Sequence, residues 1–188
     1  MIDSEGLLDQ ARLQLSPNRD LRPQSATIDL AVIHGISLPA GKFGGEAISE
    51  LFLNQLDCSA QSNFASLSGL RVSAHLLINR RGQLTQYVPF IERAWHAGQS
   101  TWQGRKNCND FALGIELEGT DEVAYTPVQY DRLVEVLALL ITTYPNITTQ
   151  RVTGHSDISP DRKTDPGPAF NWPALRRRLA TFRGSQAT

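Results

Sequence analysis

Residues 154–168 contain the side chains whose types and spacing best suit chemistry. They read Gly-His-Ser-Asp-Ile-Ser-Pro-Asp-Arg-Lys-Thr-Asp-Pro-Gly-Pro. His155, Lys163 and Asp165 stand in a segment whose prolines remove backbone donors and fix φ, which predicts a rigid loop and no helix. A rigid loop with an imidazole, an ammonium and a carboxylate suits a metal or catalytic site, although a solvated polar loop often has the same composition.

Two histidines and one carboxylate are the candidate metal ligands. His34 follows an apolar run at residues 28–33 that predicts a buried strand, and open α/β sheets place their ligand sites at strand carboxyl ends. With His155 and Asp165 it would supply two neutral imidazoles and one carboxylate. This set suits Zn²⁺ and leaves the fourth tetrahedral position for water, which is the catalytic pattern. Position 34 taken alone is equally compatible with a structural histidine.

A carboxylate in an alternating strand and a tryptophan in a long loop add two candidate positions. The alternation in residues 111–118 predicts that Phe111 faces one way and Glu116 the other, together with Gly114. Glu116 would then line a pocket in which Gly114 lets a substrate approach closely, or lie on an ordinary solvent-facing strand. Trp95 suggests a wall for a sugar or a peptide, or a plug at the edge of the core.

Length and composition indicate one globular domain, residues 1–188. The chain is 40% hydrophobic and 20% charged, which is enough for a real core. Its net charge of −1 argues against a nucleic-acid partner bound through phosphate neutralisation. Cys58 and Cys108 form no disulfide framework and have no partner at metal-ligand spacing, so we expect two free thiols.

The N-terminal residues show no basic region followed by an apolar one, and no apolar run approaches the ~20 residues of a membrane span. We therefore expect a cytoplasmic protein without a membrane partner, acting as a monomer.

Strands and helices alternate along the chain, with one hairpin, which predicts an α/β fold with a mixed central β-sheet flanked by helices. The clearest helix begins at Thr126, where Thr-Pro-Val-Gln supplies an N-cap, a first-turn proline and a capping-box glutamine, and it ends before Pro145. The other predicted elements are a helix over residues 46–56, hairpin strands over 72–78 and 84–88, a strand over 147–153 and a helix over 172–182.

Several stretches carry a resemblance to a known family. They are Val-Ile-His-Gly-Ile-Ser-Leu-Pro at residues 32–39, Arg-Val-Ser-Ala-His at 71–75, Arg-Ala-Trp-His-Ala-Gly at 93–98, Cys-Asn-Asp-Phe at 108–111, Gly-Ile-Glu-Leu-Glu-Gly-Thr-Asp at 114–121, and the Gly-His and Lys-Thr-Asp-Pro-Gly of residues 154–167. In this order they resemble the AmpD family. These are cytoplasmic zinc amidases of peptidoglycan recycling, 1,6-anhydro-N-acetylmuramyl-L-alanine amidases related to phage-lysozyme-type amidases and peptidoglycan-recognition proteins. The likeness runs from about residue 20 to about residue 175.

The resemblance implies a role for each matching residue. His34, His155 and Asp165 match the zinc ligands, Glu116 matches the acid/base carboxylate and Lys163 matches the stabiliser of the transition state. Asp165 stands where the phage-type relatives carry a cysteine, as expected of the AmpD branch.

Four further positions match with less definite roles. Arg71 and Trp95 resemble groove residues that contact the muropeptide. His75 and His96 match family positions that we interpret as structural or groove-lining, and not as ligands. Ala74 stands where the phage-type relatives carry a catalytic tyrosine, which agrees with the AmpD branch and argues against a tyrosine-based mechanism.

The implied reaction is hydrolysis of the amide between an (anhydro-)N-acetylmuramyl group and the L-alanine of its stem peptide, with an anhydro-muropeptide as the substrate. Two alternatives remain. One is an endolysin-type amidase that acts on intact murein, and the other is a recognition module that binds peptidoglycan without hydrolysing it. The full ligand set together with Glu116 and Lys163 argues against the binding module, since a pure binder needs no open metal site.

Overall fold

The computed structural model describes the backbone of residues 1–186 and the side chains of residues 1–181. Its strands are β1 (Arg12–Leu13), β2 (Arg19–Asp20), β3 (Leu30–Ile36), β4 (Leu76–Ile78), β5 (Leu84–Gln86), β6 (Arg93–Ala94), β7 (Thr101–Trp102), β8 (Arg105–Lys106), β9 (Ala112–Glu118) and β10 (Val152–Gly154). Its α-helices are α1 (Ala47–Phe52), α2 (Pro127–Thr143), α3 (His155–Ile158) and α4 (Trp172–Gln186), and short 3₁₀ turns span Ser62–Leu67, Cys108–Asp110 and Thr149–Arg151.

The main sheet has six strands in the order β1-β5-β4-β9-β3-β10. Strands β10, β3, β9 and β4 run parallel to one another, β5 is antiparallel to β4, and β1 runs parallel to β5. Two separate ribbons pair β2 with β6 and β7 with β8. The sheet is therefore mixed, as predicted.

The register of the central strands brings the candidate residues to one edge. His34 in β3 lies opposite Glu116 in β9, and Gly154 at the end of β10 lies opposite Ile33. Because these three strands are parallel, their carboxyl ends meet at one edge of the sheet, and His155 directly follows Gly154. The sequence predicted that His34 and His155 each follow a strand, and the register shows that these two strands are neighbours.

The two faces of the sheet have different partners. Helices α2 and α4 cover one face and form the main core with strand residues such as Ile33, Ile115 and Leu117. The other face carries smaller clusters, one of which contains Leu30, Val32 and Ala112. Since alternate strand residues share a face, His34 and Glu116 belong to this second face, away from the two long helices.

Helix α2 begins as predicted. The Thr126 hydroxyl accepts from the Gln129 N–H at 3.3 Å, and the Gln129 side-chain oxygen accepts from the Thr126 N–H at 3.0 Å. The amide of Gln129, which is fully buried, also donates to the carbonyls of Ile78 and Glu118. The Gln129 side chain therefore caps the helix and also joins its first turn to strands β4 and β9.

The predicted absence of helix in residues 154–168 is wrong for its first turn. Helix α3 starts at His155 because the Asp157 carboxylate accepts from the Gly154 N–H at 2.8 Å and from the Thr153 hydroxyl at 2.6 Å. This caps a single turn. The helix-breaking prolines begin only at Pro160, so the remaining residues form the loop.

Other elements are shorter than the sequence patterns predicted. Helix α1 ends at Phe52, strand β4 begins at Leu76, and strand β10 begins only after the 3₁₀ turn Thr149–Arg151. Phe111 does not share a face with Leu113, because it ends the 3₁₀ turn with ψ near 0° and packs beside Ala112. The alternation of side chains between the two faces therefore holds only within strand β9, which begins at Ala112.

Cys58 and Cys108 are both free, as expected. Within the part of the chain that the structure describes, no helix combines the length and the apolar character that crossing a bilayer requires.

Candidate active site

Three side chains from distant parts of the chain converge at the carboxyl edge of the sheet. Nδ1 of His34 lies 3.0 Å from Nδ1 of His155, and each of these nitrogens lies 3.1 Å from Oδ2 of Asp165. His34 and His155 are buried, and Asp165 is partly exposed. Two ring nitrogens and one carboxylate oxygen thus converge on a common centre, and this donor set fits Zn²⁺.

The two imidazoles have partners for their second nitrogens as well. Nε2 of His34 lies 3.0 Å from Nδ1 of His96, and Nε2 of His155 lies 3.2 Å from the carbonyl oxygen of Ala97. Metal-binding histidines usually donate their remaining N–H in this way, because the second hydrogen bond fixes both tautomer and ring orientation.

The electrostatics favour the forms of these groups that bind metal. Burial lowers the pKa of His34 to about 4, although its hydrogen bond to Asp165 opposes the shift. Burial disfavours ionisation of Asp165, but hydrogen bonds from His155 and His34 outweigh it and hold the pKa of this carboxyl below its usual range. At neutral pH the site therefore presents a neutral imidazole at His34 beside an ionised carboxylate, as metal binding requires.

Glu116 is buried, so the solvent-facing alternative is wrong. Its side chain is only 9% exposed, and Oε2 has no hydrogen-bond partner among the residues whose side chains are described. Burial raises its pKa well above the usual value, the charge of Asp165 adds to the shift, and Lys163 opposes it. A buried carboxyl with a raised pKa and an unpartnered oxygen beside a candidate metal site is suited to accept and donate a proton.

Lys163 is exposed on the loop that leads from α3 to Asp165. Its backbone N–H donates to the Ser159 carbonyl at 3.0 Å, and the Ser156 N–H donates to the Asp165 carbonyl at 2.9 Å. The charge of Lys163 acts on both His34 and Glu116. The loop thus holds a positive charge next to the candidate ligands.

The space above Gly114 is not available to a substrate, contrary to the sequence-based hypothesis. The imidazole of His96 lies there, and a methyl group at position 114 would overlap its ring. His75 lies behind, fully buried, where its Nδ1 accepts from the Gly114 N–H at 3.0 Å. His75 and His96 are both buried within the fold, so of the two interpretations the structure supports the structural one for them.

The two candidate groove residues differ in their surroundings. Trp95 is half-buried, and its backbone pairs with Ser73, whose hydroxyl accepts the Trp95 N–H at 3.0 Å. Arg71 is exposed, and within the described residues its side chain makes no hydrogen bond or ion pair. The structure does not bring Arg71 into contact with the three converging ligands.

Sequence reasoning missed the residue that supports the Asp165 loop. The Tyr125 hydroxyl donates to the carbonyl of Pro166 at 3.0 Å, and its ring is 5% exposed. A side chain at Gly35 or Gly119 would overlap this tyrosine. The glycines that directly follow His34 and Glu118 were therefore the available signal, since they leave space for a ring that links the strand ends to the ligand loop.

The fold and the site match a known family. Residues 24–168 match the family described as N-acetylmuramoyl-L-alanine amidase. The chain belongs to the N-acetylmuramoyl-L-alanine amidase family.

Within this family the likeness is to the AmpD branch. The chain is 53% identical over 188 residues to the 1,6-anhydro-N-acetylmuramyl-L-alanine amidase AmpD of Salmonella typhimurium, covering 100% of both chains. A selenomethionine derivative of AmpD in crystals has 52% identity and a TM-score of 0.92, with 95% of this chain and 99% of that one covered. Escherichia coli AmiD in complex with anhydro-N-acetylmuramic acid-L-Ala-D-γ-Glu-L-Lys is also similar, with 29% identity, a TM-score of 0.59 and coverage of 94% and 65%.

Proposed function

We propose that this protein is a zinc amidase that cleaves the bond between (anhydro-)N-acetylmuramic acid and the L-alanine of the stem peptide. The observation that carries the proposal is the convergence of His34, His155 and Asp165 beside the buried carboxyl of Glu116. Full-length relatives named as 1,6-anhydro-N-acetylmuramyl-L-alanine amidases support the substrate class.

The metal would be held by Nδ1 of His34, Nδ1 of His155 and Oδ2 of Asp165, the three atoms that face one another. Three protein ligands leave one tetrahedral position for water or substrate. Zinc in such a site supplies Lewis acidity, which activates a water and polarises the substrate carbonyl.

The chain's own residues would then move protons and stabilise charge. Glu116, held beside His34 by the strand register, takes a proton from the attacking water and returns one to the leaving amine. Its burial helps, because the raised pKa makes the carboxylate of Glu116 a stronger base for the first step. Lys163 places a positive charge where the carbonyl oxygen becomes negative.

The substrate setting is a further part of the proposal. We propose that the protein acts as a monomer in the cytoplasm, on soluble anhydro-muropeptides from peptidoglycan recycling, with Arg71 and Trp95 as contacts for the muropeptide. A solved relative, AmpDh3 of Pseudomonas aeruginosa, has been crystallised with an anhydromuramic pentapeptide, at 26% identity and a TM-score of 0.60. This supports recognition of the anhydro sugar and the stem peptide together.

The test compares the purified protein on two substrates. Soluble anhydro-muropeptides and intact sacculi are digested in parallel, and released stem peptides are quantified by chromatography. We expect rapid release from the soluble substrate and slow release from sacculi. Equal rates on both would favour the endolysin-type amidase, and binding without release would favour the recognition module. Chelation should abolish release, and added Zn²⁺ should restore it.

A further inference from the structure

One short segment lies behind both candidate imidazole ligands. His96 and Ala97 are consecutive, and they supply the partners of His34 Nε2 at 3.0 Å and His155 Nε2 at 3.2 Å. The partner atoms differ in kind, because one is a ring nitrogen and the other a carbonyl oxygen. The segment therefore contacts the site on the side away from the three converging ligand atoms.

The Ala97 carbonyl can only accept, so a hydrogen bond to it places a hydrogen on Nε2 of His155 and leaves Nδ1 free for a metal. The same oxygen also accepts from the Arg162 guanidinium at 2.7 Å. The ring nitrogen of His96 imposes the same state on His34 only if it is itself unprotonated. A metal held at the centre would take the place of the hydrogen between Nδ1 of His34 and Oδ2 of Asp165, and His34 would then donate from Nε2 alone. The hydrogen-bonding state of His96 thus determines which nitrogen of His34 is available as a ligand.

The segment itself is held firmly. The backbone N–H groups of His96 and Ala97 both donate to Oδ1 of Asn109, at 3.1 and 2.8 Å. The His96 ring lies in the space left by Gly114, which no residue with a side chain could provide. Its ring crosses that of His34 edge-on, with 5.0 Å between centroids. The His96 imidazole is therefore held in one position by backbone hydrogen bonds as well as by packing.

We propose that His96 is a positioning residue of the metal site, whose Nδ1 holds His34 in the tautomer and orientation that present Nδ1 to zinc. The inference rests on the zinc site of the proposed function and adds a residue to it. Loss of such an outer hydrogen bond typically weakens metal binding by about 10- to 100-fold. His96 would act on zinc only through His34, so loss of its side chain should weaken metal binding.

A matched pair of variants tests the role. Asn and Leu have nearly the same shape, and in His96→Asn the side-chain oxygen can replace Nδ1 as an acceptor, whereas His96→Leu has none. Zinc affinity is measured by competition of Zn²⁺ with a chromophoric chelator, and thermal melting of the metal-free proteins checks the fold. We expect His96→Leu to bind zinc about 10- to 100-fold more weakly than wild type, and His96→Asn to recover most of that loss.

The outcomes separate this inference from the proposed function. A wild-type protein without zinc affinity would overturn the metal site and the role of His96 with it. Wild type that binds tightly, with the Leu variant binding as tightly as the Asn variant, would overturn the role of His96 alone. If the Leu variant does not fold, long-range ¹H–¹⁵N spectra of zinc-loaded wild type test the proposal instead, because they show which ring nitrogens carry a hydrogen. We expect a proton on Nε2 of His34 and none on Nδ1 of His96, and the opposite tautomers would refute the proposal.

Discussion

Glu116 and Glu118 lie two residues apart on the same face of β9, and both are buried, with exposures of 9% and 4%. One oxygen of Glu118 accepts from the Gly44 N–H and the other from the Arg80 N–H at 3.0 Å. Oε2 of Glu116 has no such partner among the described side chains and backbone. Burial alone thus does not distinguish a functional carboxylate from a structural one, whereas its hydrogen bonds do.

The two positions also differ in what surrounds them. Glu118 joins the loop that contains Gly44 to the hairpin turn at Arg80, so it holds two connections in place. Glu116 lies opposite His34 in the sheet register, and its charge is opposed by Asp165 and favoured by Lys163. Glu118 is thus a structural group, whereas the environment of Glu116 costs stability and suits the proton-transfer role that we propose for it.

The largest expected effect is at the candidate metal ligands, which lie on the Glu116 side of the comparison. Asp165→Asn replaces a ligand carboxylate by an amide, so we expect loss of both bound zinc and turnover. Asp161→Asn is the matched control, because Asp161 is exposed and asparagine tolerates its left-handed φ of 65°. Elemental analysis and turnover are measured on both. An Asp165→Asn protein that retains one zinc per chain would show that this carboxylate is not a ligand.

Glu116→Gln should have the next largest effect. The variant keeps the shape and removes the base, so kcat on an anhydro-muropeptide should fall by roughly 10²–10⁴, while zinc stays bound. Metal-free protein should melt no lower than wild type, because an unpartnered buried carboxyl is replaced by a neutral group. Turnover near the wild-type rate with zinc present would mean that another group moves the proton.

Lys163→Ala should lower kcat somewhat less than Glu116→Gln does. Removing a group that stabilises an oxyanion typically lowers kcat by about 10²–10³. Lys163 is exposed, so we expect folding and zinc content to stay unchanged. Lys106→Ala, at another exposed lysine, is the control and should keep full activity. Rates for both variants within experimental error of wild type would remove Lys163 from the mechanism.

Glu118→Gln should have the smallest effect on chemistry and a measurable one on stability. Glutamine has one acceptor oxygen, so one of the two backbone N–H groups at Gly44 and Arg80 would lose its partner, at about 1–3 kcal/mol. Calorimetry should show a melting temperature lower by several degrees, with kcat close to that of wild type. A stable Glu118→Gln protein with strongly reduced kcat would reverse the assignment of the two glutamates.

The sequence predicted parts of the candidate site wherever a local pattern determines the position of a residue. His34 follows a β-branched run, and the loop that carries Asp165 is rich in proline, so both were located before the fold was known. The mixed sheet and the capping box of α2 were predicted from periodicity and cap residues, and both are confirmed.

What the sequence could not predict depended on contacts between distant segments. The burial of Glu116 and the packing of His96 over Gly114 arise from strand register and from a loop that crosses the sheet. Neither contact has a signature within one stretch of residues.

The single turn of α3 is a different case, because its cap joins Asp157 to Gly154 only three residues away. The prolines further along favoured a loop over the whole segment, so this local signal was overlooked.

Strands β3 and β10 are neighbours in the sheet, yet His34 and His155 are 121 residues apart in sequence. A pairing of such separation closes a very long loop, and non-local pairings of this kind form slowly. During synthesis the ribosome must release most of the chain before β10 can join β3. Zinc held by all three candidate ligands would therefore require β10 to have joined β3, and uptake of the ion would report that this parallel strand has taken its place.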